Sequence, residues 1–196
     1  MSFCVHLQPS VQPHSHRGYT LIETLVAVAL TAILLGVGLP SMTRFIGNWQ
    51  VSDAMNSFTG SLRVARTEAI KRGRDVRMCA STDGATCTST MNATKGWATG
   101  WIIYVDNNKS LSFTSGTDVI LLSPTSLPVA SILSSKGTTI TNFVFRPNGL
   151  MTSGVQALDF TPTQGSGTPR GLCVSTTGRT RVVSSPATTF CQANEE

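Results

Sequence analysis

From Tyr19 to Leu39 the chain runs for 21 residues with one charge among them, Glu23. No other stretch restricts the fold as strongly. At about 1.5 Å of rise per residue, a helix of that length matches the ~30 Å hydrocarbon core of a bilayer. A carboxylate five residues into such a segment costs on the order of a few kcal/mol in lipid, so Glu23 calls for a cation. None lies nearby in the chain, which makes the amino terminus of a neighbouring copy the natural partner. That pairing presupposes cleavage between Gly18 and Tyr19.

The run Gly18-Tyr19-Thr20-Leu21-Ile22-Glu23 resembles the type IV prepilin signature. The resemblance implies a prepilin peptidase that cuts after Gly18 and N-methylates Tyr19. It also places Pro40 where pilins carry a helix-kinking proline. An ordinary secretory signal has its apolar core before the cleavage site, whereas here the polar leader comes first and the apolar run follows. Residues 1–18 therefore read as a cleaved leader, with Pro9, Pro13 and the His14, His16, Arg17 cluster, cytoplasmic and disordered beforehand. Residues 19–45 read as the transmembrane and filament-core helix, and 46–196 as a periplasmic half-helix with a β-rich globular domain. Orientation in the inner membrane leans on the resemblance, because Arg17 and Arg44 alone give a thin positive-inside signal.

Removing 18 of 196 residues leaves 178, enough for one ordinary domain beyond the membrane segment. Charged residues are only 13%, and with abundant Gly, Ser and Thr this suits a turn-rich extracytoplasmic domain. Losing Arg17 leaves 14 basic against 10 acidic residues, a net +4, so an anionic partner must be argued from clustering. Cys4 leaves with the leader, and the even remainder (Cys79, Cys87, Cys173, Cys191) favours disulfides outside the cytosol. Pairing Cys79 with Cys87 and Cys173 with Cys191 closes local loops; three connectivities stay open. Zinc fits poorly, since no Cys-x-x-Cys occurs and His6, His14 and His16 all lie in the leader.

Tyr19 to about Lys71 reads as one helix, bent or locally melted at Gly36, Gly38 and Pro40 and stopped by Gly73. Val51, Met55, Phe58, Leu62, Ala65 and Ala69 form an apolar stripe at helical spacing. Beyond Gly73, strand-like runs follow at 76–80, 100–106, 119–122, 139–145, 157–160, 171–175 and 179–183, with Gly165-Ser166-Gly167 as a flexible link. The fold class is α+β: a long amino-terminal helix packed on a β-rich domain.

The segments 62–73, Gly96-Trp97 through Asp106, and Phe145-Arg146-Pro147-Asn148-Gly149 resemble the landmarks of the GspH/FimT pseudopilin group. Gly178-Arg179-Thr180-Arg181 is similar to the Gly-Arg-x-Arg motif of FimT minor pilins, which are linked to DNA binding in natural transformation. The resemblance thus implies a minor pilin with prepilin peptidase, other pilins and DNA as partners. A GspH-type pseudopilin of type II secretion is the alternative, as is a minor pilin for assembly, twitching or adhesion.

On a strand, Arg179 and Arg181 would share a face about 6.5–7 Å apart, close to the phosphate spacing of one nucleic-acid strand. Arg170 and Lys136 are added as supporting contacts. The basic run of Arg63, Arg66, Lys71, Arg72, Arg74 and Arg77 reads either as a phosphate-meeting patch or as a solvated helix face. Trp97 and Trp101 read as core or as base-stacking platforms. Catalysis has little to stand on: the mature chain has no histidine, no Gly-x-Ser-x-Gly elbow, no Gly-rich phosphate loop and no closely spaced carboxylate pair. No cofactor or metal is implied.

Overall fold

The computed structural model describes residues 18–127, 129, 131–137, 140–163 and 167–191, with the backbone alone at 37–41. The leader through Arg17, Thr139 of the expected run 139–145 and Gly165-Ser166 lie outside the described residues. One helix, α1 (Leu21–Arg72), precedes β1 (Val76–Ala80), β2 (Trp101–Val105), β3 (Val119–Leu122), β4 (Ser131–Ser134), β5 (Asn142–Phe145), β6 (Gln156–Thr161), β7 (Arg170–Val174) and β8 (Thr180–Ser184).

The chain divides between Leu39 and Pro40 into two compact units. In the first, Thr20 opens α1: its Oγ1 accepts the Glu23 amide at 3.4 Å, the N-cap geometry of Thr-x-x-Glu. The Glu23 carboxylate thus sits in the first turn, where the helix dipole favours it. Leu21, Ile22, Leu25, Val28, Ile33 and Leu34 are all exposed, an apolar surface larger than soluble monomers leave bare. Among the described residues, no helix is long and apolar enough to cross a membrane. The side chains of 37–41, which complete the stretch read from the sequence, lie outside them. The backbone remains helical through Pro40, so the local melting expected there does not occur. A proline removes only one backbone hydrogen bond, and the turns on either side carry the helix past it.

In the second unit the stripe Val51, Met55, Phe58, Leu62, Ala65 and Ala69 is buried throughout. Past Gly73, the Arg74 amide turns back onto the Ala69 carbonyl at 3.3 Å and closes the helix. The strands form two antiparallel sheets, ordered β3-β2-β1-β5 and β4-β6-β7-β8. One apolar core joins the α1 stripe to both sheets through Met78, Trp101, Phe143, Phe145, Phe160 and Leu172. β4 escaped the sequence reading because its only apolar residues are Ile132 and Leu133, set between serines.

Each sheet carries a smaller apolar cluster on its far side, held by a disulfide: Cys79–Cys87 beside Ile102 and Tyr104, and Cys173–Cys191 beside Ala157 and Ala187. In the first cluster burial pushes the Tyr104 phenol up to about 12.

Candidate nucleic-acid interface

The hairpin β7–β8 is the centre of the candidate site. Its turn is closed by the Gly178 amide on the Ser175 carbonyl and the Ser175 amide on the Arg179 carbonyl, both at 2.9 Å. This is a tight turn followed by a bulge, which requires a left-handed residue. Gly178 supplies it with φ 73°, at a point where a Cβ would stand 2.9 Å from the Phe145 ring. The glycine of Gly-Arg-x-Arg therefore makes the turn, and the two arginines follow it into the outer strand of the sheet, which begins at Thr180.

Arg181 lies in β8, paired across the sheet with Cys173. Arg179 is not a strand position: it sits in the bulge one residue before β8 begins. A glycine in the left-handed region makes this bulge, immediately before the two arginines. Even so, both arginines are exposed and line one groove of about 560 Å³ with Val155, Cys173 and Thr177. Arg181 Nη2 donates to the Phe190 carbonyl at 2.8 Å, next to the half-cystine Cys191 that is bonded to Cys173. The far end of the chain thereby orients the guanidinium, a contact that no local sequence signal marks.

Lys136 does not line this groove, but its Nζ donates at 3.4 Å to the carbonyl of Val155, which does. Arg170 does not join it. In β7 it shares a face with Leu172 and Val174, which face the main core, whereas Cys173 and its partner Arg181 lie on the other face. It pairs with Ser184 at the opposite end of β8 and borders a separate surface hollow with Val182.

The basic run near the end of α1 breaks into parts. Lys71 and Arg72 pair with Glu68, and the Arg72 hydrogen bond holds the Glu68 carboxyl below its ordinary range. Arg74 donates to the Asn107 carbonyl. Arg77 is buried, with its Nε 2.8 Å from Asp106 Oδ2, and offers nothing to a ligand. Arg63 and Arg66 remain, and they line a groove with Gly178 and Arg179.

Trp97 and Trp101 are core residues and cannot stack on bases: both are buried edge-on against Phe58, and Trp101 Nε1 donates to Ser61 Oγ at 3.0 Å. Trp97 lies in a 3-10 turn, so the shared strand face does not exist. At the other end of the chain Gly18, Tyr19 and Glu23 are exposed and close together in sequence, with Tyr19 immediately before the capping Thr20. Among the described residues, no group of three or more histidine, cysteine or acidic side chains is placed to hold a metal.

Residues 54–178, well over half of the chain, match the family described as Type II transport protein GspH. The chain belongs to the GspH family. Residues 13–39 of this GspH-family protein also match the prokaryotic N-terminal methylation motif, which spans the Gly18–Tyr19 junction and the apolar run after it. The type IV minor pilin FimU of Pseudomonas aeruginosa has a similar fold, with TM-score 0.50 and 16% identity over 74% of this chain and 94% of that one. The minor pseudopilin EpsH of the Vibrio cholerae Type 2 Secretion System aligns with TM-score 0.47 and 13% identity, over 70% of this chain and 98% of that one. The Type IV major fimbrial protein FimA of Dichelobacter nodosus is 33% identical over 63 residues, 32% of this chain. The chain spans about 40% of the length of that curated relative. By family the chain is a GspH protein with an N-terminal methylation motif, and its fold is the α+β, type IV pilin-like one.

Proposed function

We propose that this GspH-family chain is a minor pilin that binds DNA through Arg179 and Arg181 for natural transformation. In this reading residues 1–18 are a cytoplasmic leader, removed by a prepilin peptidase between Gly18 and Tyr19. Residues 19–45 hold the subunit in the inner membrane with residues 46–196 in the periplasm, and then pack among other pilins in the filament. Its role is structural and binding, with no reaction and no cofactor.

The observation that carries the DNA reading is the groove in which Arg179 and Arg181 stand together, with Lys136 hydrogen-bonded to its lining residue Val155. Each arginine carries a planar fork of donors that matches the oxygens of a phosphate. Three phosphate contacts give weak, sequence-indifferent binding that several subunits in one filament multiply. On these three contacts alone, a fourfold rise in salt weakens binding about fortyfold, at a slope near −0.9 per contact. Replacing both arginines (Arg179→Gln with Arg181→Gln) should flatten the log–log salt slope by about 1.8, read by anisotropy of a labelled duplex. An unchanged slope, or no binding by the starting protein, would sink the DNA reading.

Glu23 is assigned to assembly, its carboxylate meeting the Tyr19 amine of a neighbouring copy in the filament core, where low dielectric strengthens the attraction. Glu23→Ala should lower the subunit's content in sheared filaments by more than about tenfold, the factor that ~1.4 kcal/mol confers. Normal incorporation would remove the pairing. The match to the family described as Type II transport protein GspH favours one alternative, a pseudopilin of type II secretion. A protein that fails to bind DNA yet co-purifies with a secretion pseudopilus would establish it.

A further inference from the structure

The groove between α1 and the β7–β8 turn is lined by three arginines. Arg63 and Arg66 come from consecutive turns of α1, Arg179 from the bulge after Gly178, and the groove they line has a volume of about 610 Å³. Among the described residues no carboxylate pairs with any of the three. Glu68, the acid nearest in sequence to Arg66, is taken by Arg72 and Lys71.

Arg66 is held in place from both sides. A Cβ on Gly149 would stand 3.3 Å from its Nε, and one on Gly178 would stand 3.2 Å from its Cδ. Both glycines are left-handed, with φ 76° and 73°, so two turns without side chains close on the stem of this arginine. The Nε they cover is buried and has no hydrogen-bond partner. A charge that is partly stripped of water and short of an acceptor gains more from an anion than a fully hydrated one does. Its remaining donors belong to a residue that lines the groove.

We propose that Arg63, Arg66 and Arg179 form a phosphate-binding site, continuous through Arg179 with the Arg179–Arg181 groove on the other side of the hairpin. The source of the phosphates, a nucleic-acid backbone, rests on the DNA reading above. Arg179 borders both grooves, so a strand crossing the hairpin passes from Arg181 over Arg179 to the helix arginines. Neither a helix face nor a strand motif alone displays that path; the Gly178 turn creates it by bringing the two together.

The test uses the full chain in non-ionic micelles, with two probes. With a labelled duplex, two added contacts make the salt slope about −4.5 rather than −2.7, so a fourfold rise in salt weakens binding about 500-fold. Arg63→Gln with Arg66→Gln should flatten that slope by about 1.8, and Arg63→Gln alone by about 0.9, which keeps the test valid if the Arg66 variant folds poorly. With inorganic pyrophosphate, the Arg66 Nε–H and Gly178 amide resonances should move, also in the Arg181→Gln background. Duplex binding that depends on Arg179 and Arg181 but is unaffected by the helix variants, with still Arg66 and Gly178 resonances, overturns the site and leaves the DNA reading standing. Moving resonances with no duplex binding support the phosphate site and remove the DNA reading instead.

Discussion

Replacing Phe58 with alanine should lower the unfolding free energy by about 3–5 kcal/mol, the range for deleting a large aromatic side chain from a packed core. Phe58 is fully buried on α1, and four rings meet it nearly edge-on: Trp97, Trp101, Phe143 and Phe160, at centroid distances of 5.6, 5.2, 5.8 and 5.9 Å. Edge-on pairs contribute about 0.5–1.5 kcal/mol each beyond the area they bury. Those increments do not add, because all four share one ring. Trp101 and Phe143 come from the first sheet and Phe160 from the second, so the cavity would open where helix and both sheets meet. Urea unfolding of the full chain in micelles, followed by tryptophan fluorescence, gives the measurement. Val64→Ala on the exposed side of the same helix should stay within about 0.5 kcal/mol. Similar losses for both variants would mean that helix propensity, not the ring cluster, sets the stability.

Asp106→Ala should cost about 3–5 kcal/mol for a different reason: it strands a buried charge. Arg77 reaches Asp106 at 2.8 Å and donates from Nη1 to the Leu111 carbonyl, with Arg77 and Asp106 both buried. Without the carboxylate the guanidinium keeps one backbone acceptor and loses its counter-ion. Replacing both residues with apolar ones of similar size should recover much of the loss, since the pair's attraction roughly balances its desolvation. A double-mutant cycle in urea tests this, and additive losses would show that the two side chains do not depend on each other.

The helix and its buried stripe were legible because both rest on local spacing: 21 residues with one charge, then apolar positions three and four apart. The strands with three or more apolar residues in a row, such as β2 and β3, could be read for the same reason. β4 could not, because two apolar residues between serines do not stand out from a loop. Arg77 looked like part of a surface run because its neighbours in sequence are basic. Its partner lies 29 residues on, and a strand buried on both faces leaves an alternating pattern ambiguous. Of the candidate site, Gly-Arg-x-Arg marks the two arginines but reads as strand, whereas Gly178 is in the turn; that Arg63 and Arg66 share a groove with Arg179 depends on how α1 lies against two distant turns.

Arg181 takes its orientation from the Phe190 carbonyl, and Phe190 is fixed by the neighbouring bridge from Cys191 to Cys173. If Arg181 meets phosphate as proposed, its fork is therefore finished by oxidation. A nascent chain whose thiols are still free can build the β7–β8 ladder, yet it lacks the anchor that aims this guanidinium. Competence to hold a polyanion would then arrive with export to an oxidising compartment, and a subunit still facing the cytosol, surrounded by nucleic acid, would be spared that encounter.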